Sequence, residues 1–72
     1  MSKSILEQYI DYSNKKEESY QTLINTILTH VREADRVGLQ YIDSIILMNE
    51  IREMLDKNSK INKEFQNQLK EM

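Results

Sequence analysis

One glycine, Gly38, stands near the middle of a chain of 72 residues that contains no proline. Glycine reaches the left-handed backbone region without strain and therefore often ends a helix at the C′ position. With Gly38 at C′, Ala34 and Leu39 would make the hydrophobic contact of a Schellman stop. The sequence thus predicts that the chain turns back on itself at Gly38. The alternative, a glycine tolerated within one unbroken helix, would require a rod roughly 105 Å long.

The apolar residues before Gly38 recur at helical spacing and fall on one face. At about 100° of rotation per residue, this face contains Ile5, Leu6, Tyr9, Tyr20, Leu23, Ile24, Ile27, Val31 and Ala34. The phase is the same on both sides of the polar segment at residues 13–19, which predicts one continuous helix over about residues 3–37. Asn14 and Glu17 have the spacing of a capping box. A break near residues 13–19, giving three helices, is therefore the alternative.

The residues after Gly38 carry a second apolar stripe of the same kind. Its members are Leu47, Ile51, Met54, Leu55, Ile61, Phe65, Leu69 and Met72. The predicted fold is all-α, a single domain of residues 1–72 in which two long helices form an antiparallel hairpin. Residue i then lies roughly opposite residue 76 − i, so the polar residues at 13–17 face those at 58–63. Such a layer either fixes the helix register or is merely solvated, and the sequence leaves both open.

The segment that follows the turn is apolar on nearly all sides. Four of its large aliphatic residues point away from the second stripe: Leu39, Ile42, Ile45 and Ile46. A monomer would leave this second face in water. We therefore expect these four residues to form an oligomer interface, with two hairpins pairing as a homodimeric four-helix bundle.

Charge and hydropathy exclude several classes of function. Twelve acidic side chains and ten basic ones are interleaved, which does not provide the basic surface of a nucleic-acid-binding protein. The longest apolar run, residues 45–48, is far too short for a membrane span. The N-terminal residues lack the apolar region of a secretory signal, and there is no cysteine. We expect a cytoplasmic protein that binds neither nucleic acid nor membrane.

No group of residues in the sequence has the pattern of a catalytic or metal site. The one histidine, His30, has Glu33 on its helical face, but a metal site in a helical bundle needs several further converging ligands. Glycine-rich phosphate loops are absent as well. We therefore predict no enzyme, no cofactor and no small-molecule substrate. Tyr12, Arg32 and Arg36 are the candidate contacts with another protein, because tyrosine and arginine are frequent at interfaces.

These patterns are typical of a non-catalytic protein-protein interaction module. We expect a small regulatory or adaptor protein that acts through helix-helix contacts, with itself and with a larger protein. The alternative is a small secretion-type or assembly chaperone, which would use the same architecture to shield an amphipathic helix of its client.

Overall fold

The computed structural model describes residues 2–72 as an antiparallel hairpin of two long helices and contains no strand within that range. Helix α1 spans Lys3–Arg36 and helix α2 spans Ile42–Lys70. The hairpin is a rod with Cα extents of 55 × 14 × 12 Å. The prediction of an all-α hairpin is therefore confirmed; the first residue of the predicted domain, residue 1, lies outside the described part of the chain.

Helix α1 continues without a break through the polar segment at residues 13–19. The three-helix alternative is therefore wrong. Asn14, which had the spacing of a helix cap, instead lies within the helix and accepts a hydrogen bond from Asn62. The cap of α1 is Ser2, whose hydroxyl accepts a hydrogen bond of 3.3 Å from the Ile5 amide.

The turn has the geometry that the lone glycine predicts. Gly38 lies in the left-handed region with φ of +76°. The Leu39 amide donates to the Ala34 carbonyl at 2.8 Å, and the Gly38 amide donates to the Asp35 carbonyl at 3.2 Å. These two bonds are the 6→1 and 5→2 pairs of a Schellman motif, and they satisfy carbonyls that the helix end would otherwise leave unpaired.

Most of the buried and half-buried residues are spaced alternately by three and four residues, which is the heptad pattern of coiled-coil packing. On α1 these core positions are Leu6, Ile10, Ser13, Glu17, Tyr20, Ile24, Ile27, Val31 and Ala34. On α2 they are Ser44, Met48, Ile51, Leu55, Asn58, Asn62, Phe65 and Leu69. Ile24, Met48 and Ile51 form a cluster of buried apolar residues.

The apolar stripes in the sequence are wider than the seam between the helices. Leu23 on α1 and Leu47, Met54 and Ile61 on α2 belong to those stripes, yet each exposes between 44% and 50% of its surface. Helices in a hairpin bury a narrow band of two positions per heptad, and a stripe that covers three positions leaves its edge outside. The prediction that whole stripes pack together is correct for the core positions and wrong for these residues.

Candidate interaction surfaces and the polar layer

A polar layer crosses the core of the hairpin where Ser13 meets Asn58 and Asn62. These three residues are buried, with 3%, 7% and 4% of their surfaces exposed. The Ser13 hydroxyl donates to Asn58 Oδ1 at 3.2 Å and accepts from Asn62 Nδ2 at 2.9 Å. Asn58 Nδ2 donates to the Ser13 backbone carbonyl at 2.9 Å. The layer is therefore a hydrogen-bonded part of the core rather than a solvated gap.

Further side chains connect this layer to the surface. Asn62 Nδ2 also donates to Asn14 Oδ1 at 2.9 Å, and the Ser59 hydroxyl donates to Glu17 Oε1 at 3.0 Å. Within residues 2–72, every buried side-chain nitrogen and oxygen has a hydrogen-bond partner. The pairs 14–62 and 17–59 match the predicted register of 76 − i. Slipping one helix along the other would separate these partners inside the core, so the layer penalises other registers.

One side of the hairpin carries most of the exposed apolar surface along the rod. We call it the flank face, and its members are Ile5, Tyr9, Tyr12, Leu23, Leu47, Met54 and Ile61. Leu47, Met54 and Ile61 follow one another at intervals of seven residues, as do Tyr9, Lys16 and Leu23. Positions seven residues apart lie on the same side of a helix at two-turn intervals. The flank face therefore extends the apolar surface from the termini almost to the turn.

Two shallow grooves show that both helices contribute to this side. The first, of about 320 Å³, is lined by Tyr9, Tyr12, Ser13, Lys16, Asn58, Ile61 and Phe65. The second, of about 240 Å³, is lined by Lys16, Tyr20, Met54, Lys57, Asn58 and Ile61. They share Lys16, Asn58 and Ile61 and so form one continuous depression.

Contacts between rings and charges fix the side chains of this depression. The Tyr9 and Phe65 rings lie 5.3 Å apart between centroids at an interplanar angle of 43°. Lys16 Nζ lies 5.7 Å from the Tyr20 ring centroid, within the range of a cation–π contact. Aromatic side chains held in this way present a rigid apolar surface, and they lose little conformational entropy when a partner covers them.

The opposite side of the hairpin is polar at the same height. The groove there is lined by Asn14, Glu17, Ser59, Asn62, Lys63 and Gln66. Three hydrogen bonds join these side chains in pairs: Asn62 with Asn14, Ser59 with Glu17, and Gln66 with Asn62. The two sides of the rod thus differ in chemistry, and only one of them presents an apolar surface in this region.

The residues predicted as the oligomer interface lie at the turn end. Leu39, Ile42 and Ile46 are exposed, whereas Ile45 is half-buried. Ile42 and Ile46 project from the side of α2 that faces away from α1, because they lie far round the helix from the core residues Met48 and Ile51. We call Leu39, Ile42 and Ile46 the turn-end surface. It adjoins the flank face where Ile46 precedes Leu47, and their role as a contact stays a prediction.

The three predicted partner contacts lie apart from one another. Tyr12 exposes 66% of its surface and lines the first groove, so it belongs to the flank face. Arg32 and Arg36 are exposed near the turn. Both Nε and Nη2 of Arg36 donate to the Glu33 carboxylate, the Nε bond at 3.0 Å. This pairing lowers the pKa of Glu33 and raises that of Arg36. Part of the Arg36 guanidinium is therefore already occupied within its own helix.

His30 lies in no group of potential metal ligands in the described part of the chain. His30 is exposed on α1, and within residues 2–72 no group of three potential metal ligands converges. Over the same range, neither helix combines the length and the apolar character needed to cross a membrane.

Sequence reasoning missed the flank face, although a signal for it was present. The repeat of Leu47, Met54 and Ile61 at seven-residue intervals marks a stripe beside the core. A projection at 3.6 residues per turn places this stripe in the contact between the two helices of one hairpin, because it does not separate neighbouring heptad positions. No protein family model, no curated protein and no solved structure matches the chain.

Proposed function

We propose that this chain is a non-catalytic interaction module, a small regulatory or adaptor protein that acts through helix-helix contacts. It associates with a copy of itself and with a larger protein. Its helices supply the contact surfaces, and no reaction is assigned to any of its side chains.

The flank face is the observation that carries this proposal. A hairpin with a hydrogen-bonded polar layer and a packed apolar cluster still leaves seven large apolar side chains on one side. Monomeric proteins rarely expose a continuous apolar patch of more than a few hundred Å², and larger patches mark sites of association. Long parallel rows of apolar residues at helical spacing are the surface that another amphipathic helix recognises.

The turn-end surface supports a second contact. Leu39 is exposed in the turn, and Ile42 and Ile46 are exposed on the outer side of α2, whereas the flank face lies beside the seam. Because the two surfaces point in different directions, a module of this shape can hold two partners at once. A larger protein would then bind at the turn end while a second partner covers the flank face.

A photo-crosslinking experiment tests the proposal. A benzophenone amino acid replaces Ile42 on the turn-end surface, Leu23 on the flank face or, as the control, Gln21 on neither surface. After irradiation in cells of the source organism, we expect the label at Ile42 to give an adduct with a distinct larger protein that is absent from the Gln21 control, and the label at Leu23 to give an adduct with the second partner on the flank face. The purified partner should then bind the wild-type chain and lose affinity for an Ile42→Glu variant.

The masses of the adducts decide the result. If the label at Ile42 gives only multiples of the 8.6 kDa chain, the turn end serves self-association, and this result contradicts a larger partner there. Equal labelling from Gln21 would show that the contact does not depend on the apolar surfaces and would also contradict the proposal.

A further inference from the structure

We infer that the flank face is the site at which a second copy of this chain docks, and that the two hairpins form an isologous four-helix bundle. The inference deepens the proposed function by naming the occupant of one surface. It does not depend on the larger partner, because it concerns the purified chain alone. It places the dimer contact on the flank face rather than on Leu39, Ile42, Ile45 and Ile46, the four residues that the sequence predicted.

The area of the flank face matches what a stable dimer needs. Its seven side chains expose between 42% and 66% of their surfaces. With roughly 200 Å² for a fully exposed side chain of this size, they present about 700 Å² together. Stable interfaces of standard size bury about 800 Å² on each partner. Covering the flank face with a few polar rim residues reaches that value, whereas leaving it bare would exceed the largest patch of a typical monomer.

The length of the face also favours a second hairpin over a single short helix. The apolar side chains extend from Ile5, near the termini, to Leu47, near the turn, along a rod of 55 Å. A partner helix of about 12 residues is only about 18 Å long and would cover about half of the roughly 36 Å between the levels of these two residues. A second copy brings two long helices. On α2 the seven-residue row is fully apolar, with Leu47, Met54 and Ile61, and on α1 the matching row has Lys16 between two apolar side chains. Knobs and holes then repeat at the same intervals on both sides of the contact.

The charges around the face permit pairing with an identical copy. The positions that border it on α2 repeat every seven residues as Asp43, Glu50, Lys57 and Glu64, so both signs are present. Lys16 lies among the apolar side chains on α1 and holds its charge over the Tyr20 ring. The net charge of each chain is only −2, which gives little repulsion between copies. A rim of mixed sign lets two copies make ion pairs around an apolar centre.

Sedimentation equilibrium of the purified chain at micromolar concentration is the first test. We expect the wild type to have twice the chain mass of 8.6 kDa. Leu23→Glu with Met54→Glu places two charges in the centre of the face and should reduce the mass to that of one chain. The matched control, Gln21→Glu with Asn49→Glu, adds the same charges at exposed positions outside it and should leave the dimer intact. A third variant, Leu39→Glu with Ile42→Glu, should also remain dimeric.

Intermolecular paramagnetic broadening keeps the test decisive if the flank variant fails to fold. The chain has no cysteine, so Ser19→Cys provides one spin-label site seven residues after Tyr12, on the rim of the face. Labelled chain mixed with ¹⁵N wild-type chain should broaden amide signals near Leu23, Met54 and Ile61 in the unlabelled copy. A monomeric wild type, broadening confined to residues 39–46, or loss of the dimer only in the Leu39 and Ile42 variant would each overturn the inference.

Discussion

Removing the Ser13 hydroxyl should destabilise the hairpin far more than removing an exposed hydroxyl from the same helix. Ser13→Ala deletes the donor that Asn58 Oδ1 has in the core and one acceptor of Asn62 Nδ2. Asn62 retains its bond to Asn14, and Asn58 retains its bond to the Ser13 carbonyl. The variant therefore leaves one buried acceptor and one buried N–H without partners.

The expected loss is about 2–3 kcal/mol. Each buried polar group left unpaired costs roughly 1–3 kcal/mol, so two such groups give about 2–6 kcal/mol. Asn58 and Asn62 each keep a second hydrogen bond, so neither amide side chain is left wholly unpaired. The effect should therefore lie in the lower half of the range. For a domain of this size it corresponds to a fall in Tm of about 10–20 °C.

Urea denaturation followed by circular dichroism measures this loss, with all variants at one chain concentration because association shifts apparent stability. The control is Ser19→Ala, which removes an exposed hydroxyl that donates only to the Lys15 carbonyl of its own helix. It should change the free energy of unfolding by less than about 0.5 kcal/mol. If Ser13→Ala behaves like Ser19→Ala, the layer does not depend on the Ser13 hydroxyl and the reasoning is refuted.

Three further predictions concern the layer, the turn and the Glu33 pair. Replacing the whole layer, with Ser13→Ala, Asn58→Leu and Asn62→Leu, should leave the free energy of unfolding unchanged or raised, because no buried polar group loses its partner. The distribution of spin-label distances across the hairpin should broaden, because slipped registers become accessible. Gly38→Ala should lower the free energy of unfolding by about 1 kcal/mol through backbone strain alone, because φ is +76° and the new Cβ meets no atom within 4 Å. D-alanine at this position in a synthetic chain should restore stability. Equal melting temperatures of the L- and D-alanine forms would contradict a left-handed residue. In an NMR titration, Glu33 should have a pKa below its ordinary value that rises in Arg36→Gln. The pairing thus stabilises the fold above the ordinary pKa and is lost as pH falls through the lowered one, and because both groups are fully exposed the stability change should be small.

Local backbone chemistry explains why the turn was predictable. Gly38 is the one residue that enters the left-handed region without strain, and the Schellman stop involves only its sequence neighbours Ala34 and Leu39. The continuity of α1 was equally predictable, because the apolar residues on both sides of residues 13–19 fall on the same helical face. Features of this kind need no knowledge of what lies across the hairpin.

The polar layer and the flank face could be predicted only in part, since both depend on contacts between distant residues. The sequence placed Ser13 opposite the Asn58 region, but burial decides whether such a layer is core or solvent, and burial depends on how closely the helices approach. Glu17, Asn58 and Asn62 occupy core positions without being apolar, so a search for hydrophobic residues alone does not reveal the heptad. Without the heptad, the apolar pattern alone predicts Leu23 and Met54 in the core rather than at its edge.

The antiparallel path of the chain brings both of its ends to the same end of the rod. Lys3 begins α1 and Lys70 ends α2 beside each other, whereas Gly38 lies at the other end of a body 55 Å long. A fluorescent protein or affinity tag fused to either terminus would therefore lie at the same end of the rod. The turn, at the other end, would stay accessible, so tagged chains can be immobilised with Leu39 and Ile42 directed away from the support.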